Sequence, residues 1–231
     1  MLSLVTGVGA KGQVGEAVAM ALAQRGDTVV LVSRDRNEVS ARAAEIGREG
    51  RVAHAYACDL SDAAAVDSLA ARVRADHGER LDNLVNLAGG WASSGPLGTS
   101  DPAVFARMLQ INLTTSMLAT RALLPLLTTA KGAIVFVASD VVVDGVRTGG
   151  ASGYAAAKAA VVALMRSVAD EGRETGVRAN ALAPGSIRTV TNEASMGAGV
   201  KYVEREDVAA AVAFLCSESA RAISGQVIRL R

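Results

Sequence analysis

The stretch TGVGAKGQVG, residues 6–15, lies between the apolar run Leu2–Val5 and an alanine-rich run that begins at Glu16. This order predicts a strand, a glycine-rich turn and a helix. Glycines let the backbone approach a diphosphate closely, and the N-terminus of the following helix offers unpaired N–H groups and a positive dipole. The arrangement is typical of the first βαβ unit of a dinucleotide-binding fold. The stretch therefore predicts a dinucleotide site.

Two registers of the glycine fingerprint compete within this stretch. Gly7, Gly9 and Gly12 fit the fingerprint literally, whereas Gly9, Gly12 and Gly15 fit it nearly as well. The sequence leaves the choice between them open.

Short β-branched runs alternate with longer alanine-rich segments along the rest of the chain. The alternation predicts βαβ units and an α/β fold with a doubly wound parallel sheet between two helical layers. We expect one domain over residues 1–231, with a short substrate loop at about 190–203. The predicted strands are Leu2–Val5, Thr28–Val32, Arg51–Tyr56, Leu84–Leu87, Ala133–Val137, Val177–Leu182 and Gln226–Leu230.

Composition narrows the class of function. The 231 residues are 50% hydrophobic and 20% charged with a net charge of +1, which indicates a globular chain without the basic surface of a nucleic-acid binder. Cys58 and Cys216 are too few for a disulfide framework or a zinc site, and the N-terminus lacks a signal-peptide pattern. Apolar runs are too short to span a bilayer. We expect a reduced, cytoplasmic protein that takes a small molecule, with no metal, nucleic-acid or membrane partner.

The end of the second strand indicates which dinucleotide is bound. An acidic residue there binds the free 2′-hydroxyl of NAD, whereas an arginine accommodates the 2′-phosphate of NADP. Ser33 and Arg34, with Lys11 from the glycine turn as a second cation, favour NADP over NAD. The alternatives are that both cations are solvated loop charges, and that Asp35 is a ribose ligand or a helix N-cap.

The stretch GYAAAKAA, residues 153–160, lies in a predicted helix over Ser152–Arg173. Tyr154 and Lys158 are four residues apart and should share one helix face. A neighbouring ammonium lowers the pKa of a phenol, which would let Tyr154 exchange protons near neutral pH. Taken alone, the pair is better explained as an ordinary surface contact on an amphipathic helix.

Several motifs in a fixed order carry a resemblance to a known family. The chain resembles the short-chain dehydrogenases/reductases, in their compact single-domain branch, and is similar to 3-oxoacyl carrier-protein reductase-like members. The resemblance implies a Rossmann fold. The matching motifs are Thr6-Gly7 with the glycines through Gly15, Cys58-Asp59-Leu60, Asn86-Leu87-Ala88-Gly89, Asn112, Ser139, Tyr154 with Lys158, and the segment VRANALAPGSIRT at residues 177–189.

The resemblance implies a catalytic set of Asn112, Ser139, Tyr154 and Lys158. Tyr154 would exchange a proton with the substrate oxygen while Ser139 donates a hydrogen bond to the same oxygen. Lys158 would lower the pKa of Tyr154 and bind the nicotinamide ribose, and Asn112 would hold a water that relays protons.

The same resemblance implies a cofactor site and a homodimer or homotetramer. Ile187 and Thr189 would bind the nicotinamide carboxamide and the neighbouring phosphate. The expected cofactor-binding residues are Gly7, Gly9, Lys11, Gly12, Val14, Ser33, Arg34, Asp59, Leu60, Asn86, Ala88, Gly89, Tyr154, Lys158, Pro184, Gly185, Ile187 and Thr189.

Three departures from the family pattern affect the function expected. The glycine turn is longer than the family's usual TGxxxGxG, and Gln13 would stand at the middle glycine of that pattern if Gly15 is the last. Leu87 replaces the second asparagine of the family's Asn-Asn-Ala-Gly turn. The lid after Thr189 is shorter than the one usual in the family. We predict an oxidoreductase that prefers NADP and acts on a ketone, including a 3-oxo group, or on the matching alcohol. The alternatives are a nucleotide-binding regulator or scaffold with little turnover, and a cofactor-independent lyase or dehalogenase.

Residues in the less regular loops carry weaker expectations. Trp91 follows Gly89 and Gly90 at a strand end, so it is as consistent with substrate contact as with loop packing. Asp140 and Arg147 could contact a polar substrate or be loop charges.

Overall fold

The computed structural model describes residues 1–143 and 148–231, so Arg147 lies outside the described residues. The strands are β1 (Leu2–Thr6), β2 (Thr28–Ser33), β3 (Ala53–Ala57), β4 (Asn83–Asn86), β5 (Ala133–Val137), β6 (Arg178–Pro184), β7 (Ile187–Arg188), β8 (Val203–Glu204) and β9 (Val227–Leu230). Seven of them form a parallel sheet in the order β3-β2-β1-β4-β5-β6-β9, and a second sheet pairs β7 with β8.

Helices cover both faces of the seven-stranded sheet. One core contains Leu69, Leu123 and Met165 from α3, α5 and α6, and the other contains Leu22 and Val212 from α1 and α8. This is the predicted three-layer, doubly wound arrangement, and it is confirmed. The helices are α1 (Val14–Gln24), α2 (Arg36–Arg48), α3 (Ala63–His77), α4 (Pro102–Leu109), α5 (Thr115–Ala130), α6 (Ser152–Thr175), α7 (Val190–Met196) and α8 (Arg205–Leu215). No helix in the described ranges is long and apolar enough to cross a membrane.

Aspartates fix where three of the helices begin. The carboxylates of Asp35, Asp62 and Asp101 accept hydrogen bonds from backbone N–H groups in the first turns of α2, α3 and α4. Pro102 at the start of α4 loses no helical bond because the first N–H groups of a helix are unpaired. Asp35 is therefore the N-cap of α2, which is one of its two expected roles.

Strand order reverses between β1 and β4, and this creates the crevice where ligands of such sheets bind. The Thr6 hydroxyl accepts from the N–H groups of Leu87 and Ala88, at 3.0 and 3.1 Å. Gly7 has φ 77°, and a Cβ there would lie 2.8 Å from the nitrogen of Ala88. The turns after β1 and β4 are thus held together, and a glycine is required where they meet.

The segment predicted as a short loop over 190–203 is partly regular. It contains α7, and the two-residue strands β7 and β8 pair on either side of it. The Arg188 guanidinium joins the strands through Glu204 at 2.8 Å and reaches Glu193 on α7 at 2.7 Å. We call Val190–Met196 the short lid.

Candidate active site

The glycine turn ends at Gln13, which is the N-cap of α1. A Cβ on Gly15 would lie 2.5 Å from the carbonyl oxygen of Gly7, so Gly15 lets α1 pack closely against the end of β1. Packing of the helix on the strand is the role of the last glycine of the fingerprint. The geometry therefore favours the register that ends at Gly15, and Gln13 then occupies the middle-glycine position of the family's usual TGxxxGxG pattern.

A cavity of about 520 Å³ lies along the carboxyl ends of β1 to β4; we call it the strand-end cavity. Of the predicted cofactor residues, it is lined by Gly7, Gly9, Ser33, Arg34, Asp59, Leu60, Ala88 and Gly89. Its other lining residues are Ala10, Gln13, Cys58, Ser61, Arg107, Gln110, Ile111 and Thr115.

Three of the additional lining residues share one helical face. Arg107, Ile111 and Thr115 are spaced by four residues across the junction of α4 and α5, so their side chains point the same way. The repeat of these residues at every fourth position around Asn112 is visible in the sequence and could have identified them. Arg107 makes no ion pair with another described residue.

Asp59 is fixed as an ionised acceptor at the edge of the strand-end cavity. Its carboxylate accepts from the N–H and the hydroxyl of Ser61, at 2.9 and 2.7 Å. These bonds are the main cause that lowers the pKa of Asp59, and the positive charge of Arg34 adds to the effect. Asp59 therefore stays ionised and oriented at neutral pH.

Lys11 does not join Arg34, which corrects the expectation of a Lys11–Arg34 pair. Its ammonium is 3.5 Å from Glu45, its side chain is 74% exposed, and it lines a different cavity. Lys11 is thus directed toward Glu45 on α2. The cation that shares the strand-end cavity with Arg34 is instead Arg107.

Glu38 brings a negative charge to the end of β2 that the sequence pattern did not indicate. A Cβ on Gly9 would lie 2.8 Å from a carboxylate oxygen of Glu38 and 3.2 Å from the hydroxyl oxygen of Ser33. The Glu38 carboxylate and the Ser33 hydroxyl therefore both lie next to the space above Gly9.

Ser139 and Tyr154 meet at the carboxyl end of β5. The Ser139 side chain lies close enough to Tyr154 to influence its pKa, although a long segment separates the two residues in sequence. Burial raises the pKa of Tyr154, the Ser139 side chain opposes this, and the charge of Asp140 adds to the increase. The pKa of Tyr154 is therefore raised, opposite to the lowering expected from Lys158, and burial is the largest cause.

Lys158 points its ammonium at the backbone. The Nζ atom donates to the carbonyl oxygen of Val137 at 2.8 Å and lies 5.7 Å from the centroid of the Tyr154 ring. Lys158 is buried, and burial lowers its pKa from 10.5 to about 8. The predicted Tyr154–Lys158 proximity is present, with the ammonium beside the ring face.

Asn112 lies in a π-helical segment, Gln110–Thr114, between α4 and α5. Its amide donates to the carbonyl oxygens of Gly90 and Met108, each at 3.0 Å, and accepts from the N–H of Gly90 at 3.2 Å. Segments of this kind are frequent at functional sites because they re-aim a side chain. Here the segment turns Asn112 toward the turn after β4.

Gly89 connects the catalytic cluster to the strand-end cavity. It lines the cavity, and a Cβ at this position would lie 2.6 Å from the Oδ1 atom of Asn112 and 3.7 Å from the Nζ atom of Lys158. Any other residue would displace Asn112. The cavity thus opens directly beside Asn112 and Lys158.

The remaining predicted cofactor residues do not line the strand-end cavity. Asn86 is buried, and its amide donates to Thr120 at 3.0 Å. Gly12 and Thr189 line a second cavity of about 650 Å³ beside the short lid. Val14 begins α1, Pro184 ends β6 and Ile187 begins β7. A Cβ on Gly185 would lie 3.5 Å from a carboxylate oxygen of Asp140.

No group of three or more His, Cys, Asp or Glu side chains in residues 1–143 and 148–231 is arranged to hold a metal ion.

A family model, a similar sequence and two similar solved structures are all dehydrogenases or reductases by name. The family model described as short chain dehydrogenase matches residues 3–198. The chain is 29% identical to the 3-oxoacyl-(acyl-carrier-protein) reductase of Escherichia coli (strain K12), with 99% of this chain and 95% of that protein covered. It matches an NAD⁺-bound xylitol dehydrogenase at 25% identity and a TM-score of 0.89, covering 99% and 96% of the two chains. A variant actinorhodin polyketide ketoreductase with NADPH matches at 25% identity and a TM-score of 0.88, covering 99% and 95%.

Proposed function

The chain belongs to the short-chain dehydrogenase family, and we propose that it transfers hydride between NADP(H) and a ketone or the matching secondary alcohol. The observation that carries the proposal is the position of Gly89, which joins the strand-end cavity to Asn112 and Lys158. Tyr154 and Ser139 lie together at the neighbouring strand end, where Ser139 influences the pKa of Tyr154. A dinucleotide lying along the strand ends would therefore reach a proton donor beside its path.

The residues of the strand-end cavity fit such a dinucleotide. The glycine turn leaves space that side chains would fill, and the N-terminus of α1 provides N–H groups for a diphosphate. Asp59, Leu60 and Ile111 would hold the adenosine. At the other end of the dinucleotide, Ile187 and Thr189 are the proposed nicotinamide contacts.

The chemistry divides between the cofactor and the chain. When bound, the nicotinamide supplies or accepts the hydride. Because burial raises the pKa of Tyr154, its phenol remains protonated at neutral pH and donates its proton to the substrate oxygen during reduction. The Ser139 hydroxyl donates a hydrogen bond to the same oxygen as charge develops. Lys158 holds the nicotinamide ribose, and Asn112 holds a water through which Tyr154 regains a proton.

A preference for NADP is supported by two guanidinium groups at the strand-end cavity. Arg34 and Arg107 both line it, and an arginine binds a phosphate through several hydrogen bonds at once. Glu38 opposes the preference because its carboxylate reaches the point above Gly9 and Ser33. We propose that the two cations outweigh this one anion.

The substrate class is proposed as ketones with a 3-oxo group. Likeness to a 3-oxoacyl carrier-protein reductase and to a polyketide ketoreductase supports this class. The screen should therefore begin with 3-oxo thioesters and simple ketones.

A fluorescence titration of the purified protein with NADPH and with NADH tests the proposal. Trp91 is 66% exposed and follows Gly90, so it can transfer excitation energy to a nicotinamide bound nearby. We expect binding of both dinucleotides, with NADPH tighter, and oxidation of bound NADPH by a 3-oxo thioester. Binding without oxidation by any ketone would favour the regulator alternative. Absence of binding would overturn the proposal.

Replacing Arg34 with alanine should weaken NADPH binding by about 10- to 100-fold, since a hydrogen bond to a charged group contributes about 1.5–3 kcal/mol. NADH binding should change far less because NADH lacks the 2′-phosphate. Titrations of the variant with both dinucleotides measure the ratio.

Lys11→Ala is the matched control for Arg34→Ala, because its ammonium lies in the other cavity beside Glu45. Its NADPH affinity should equal that of the wild type. Glu38→Gln should shift the ratio in the opposite direction, toward NADPH. Equal losses of NADPH and NADH binding in Arg34→Ala would contradict the assignment of the 2′-phosphate.

Assembly as a homodimer or homotetramer in the cytoplasm completes the proposal. Two free, buried cysteines, Cys58 and Cys216, suit a reducing compartment. The surface expected to pair is formed by α5 and α6, which lie side by side. Light scattering at micromolar concentration should give at least the dimer mass, and a monomer would defeat this part of the proposal.

A further inference from the structure

The long glycine turn and the short lid contact each other. The N–H of Val190 donates to the carbonyl oxygen of Gly12 at 3.3 Å, and the Gln13 amide donates to the Thr191 hydroxyl at 3.0 Å. Gly12 has φ 76°, and a Cβ there would collide with the side chain of Val190. Two departures from the family pattern, a turn that is too long and a lid that is too short, therefore meet.

This contact joins the edge of the strand-end cavity to the short lid beside the second cavity. Gln13 is the N-cap of α1 and lines the strand-end cavity, while its side chain makes no capping bond and is free to reach α7. On the lid side of the contact, Thr191 lies in the first turn of α7, two residues after Thr189, the proposed phosphate contact. A glycine at position 13 would have no side chain to span this gap.

Both ends of the short lid are anchored independently of the contact. Arg188 pairs with Glu193 and Glu204, and the Tyr202 hydroxyl donates to the carbonyl oxygen of Gly197 at 2.8 Å. Gln13–Thr191, by contrast, is a single solvent-exposed bond at the start of the lid. It can break without unfolding α7, as a switchable contact must.

We propose that Gln13 and Thr191 form a latch that holds the short lid over the diphosphate and slows release of the dinucleotide. The inference rests on the proposed dinucleotide function. Gln13 and Thr191 are positioning residues, because they act through the lid and not on the reacting atoms. Their side chains thereby replace part of the closure that a longer lid would provide.

Stopped-flow measurement of NADPH release tests the latch. The wild type, Thr191→Val, Gln13→Ala and the double variant are loaded with NADPH and chased with excess NADP⁺. Each single variant should release NADPH about two- to tenfold faster, the range for loss of one hydrogen bond. The double variant should release it no faster than either single variant, because both changes break the same contact.

Two further variants separate the latch from a general effect on α7. Ser195→Ala removes a hydroxyl that bonds to Asn192 within the same helix and should leave the release rate unchanged. Thr191→Ser keeps the hydroxyl oxygen that accepts from Gln13, so NADPH release should be as slow as in the wild type. Unchanged release in Thr191→Val, or independent effects in the double variant, would overturn the latch alone. Failure of the wild type to bind either dinucleotide would overturn the proposed function, and the latch with it.

Discussion

Replacement of Tyr154 by phenylalanine is expected to lower the turnover number by about 10²- to 10⁴-fold, the range that a positioned acid contributes. The change removes one hydroxyl and keeps the ring beside Lys158. NADPH affinity should remain nearly unchanged, because the cavity that would hold the adenosine and diphosphate is lined by other residues. Steady-state kinetics with a 3-oxo thioester, together with NADPH titration, separate the two quantities.

The partner of Tyr154 provides a graded comparison. Ser139→Ala removes the second donor to the substrate oxygen and should lower turnover by about 10²- to 10³-fold, as loss of one oxyanion donor does. The double variant should be no worse than Tyr154→Phe alone if the two hydroxyls act as one unit.

Tyr56→Phe is the matched control for the loss of a phenol. Its hydroxyl donates to Asp76 at 2.6 Å, at a site formed by β3 and α3. Turnover in this variant should equal that of the wild type. A Tyr154→Phe variant that retains activity within tenfold of the wild type would contradict the proposed proton donor.

The main sheet could be predicted because its strands are buried on both faces. Each of the seven predicted strands is present, with ends that differ by at most two residues. The strands β7 and β8 were missed because two residues are too few to show any period. The short lid was likewise read as loop because its helix spans one to two turns.

The sequence predicted which turn carries Lys11 but not the direction in which its side chain points. Sequence spacing put Lys11 near the phosphates, but the extra length of the turn directs it to Glu45. Arg107, from a helix far along the chain, lines the strand-end cavity together with Arg34. Which cation faces a cavity depends on the path of the turn, and a motif match does not contain that path.

The electrostatics of the catalytic pair depended on burial, which the spacing of Tyr154 and Lys158 does not report. Helical spacing correctly placed the ammonium beside the ring. It gave no information on the Val137 carbonyl, which competes for the ammonium, or on the desolvation of both groups. The sign of the Tyr154 pKa change was therefore predicted wrongly from correct geometry.

The buried ammonium of Lys158 should make the unliganded protein less stable than a variant without it. Its pKa is about 8 in the folded chain against 10.5 as the ordinary value. At neutral pH the folded state must hold a charge that burial disfavours, and the gap between the two values corresponds to about 3 kcal/mol. Lys158→Met removes the charge but leaves the Val137 carbonyl without its donor, a loss of about 1 kcal/mol. The expected net gain at pH 7 is about 2 kcal/mol in the free energy of unfolding, accompanied by loss of turnover.

The pH dependence of this gain follows from proton counting. Between pH 8 and 10.5 the unfolded chain binds more protons at Lys158 than the folded chain, so the wild type becomes more stable as pH rises through this window. The advantage of Lys158→Met should therefore be full below pH 8. Above pH 10.5 only the lost bond to Val137 remains, so the variant should there be the less stable protein by about 1 kcal/mol. Urea unfolding of both proteins at pH 7 and near the upper end of the window measures it.

Lys201→Met, at an exposed position, should show no such change between the two pH values. A Lys158→Met protein that is less stable than the wild type at pH 7 would show that the ammonium is well accommodated without its ligand. A more stable but inactive variant would show that the protein retains a destabilising charge for catalysis.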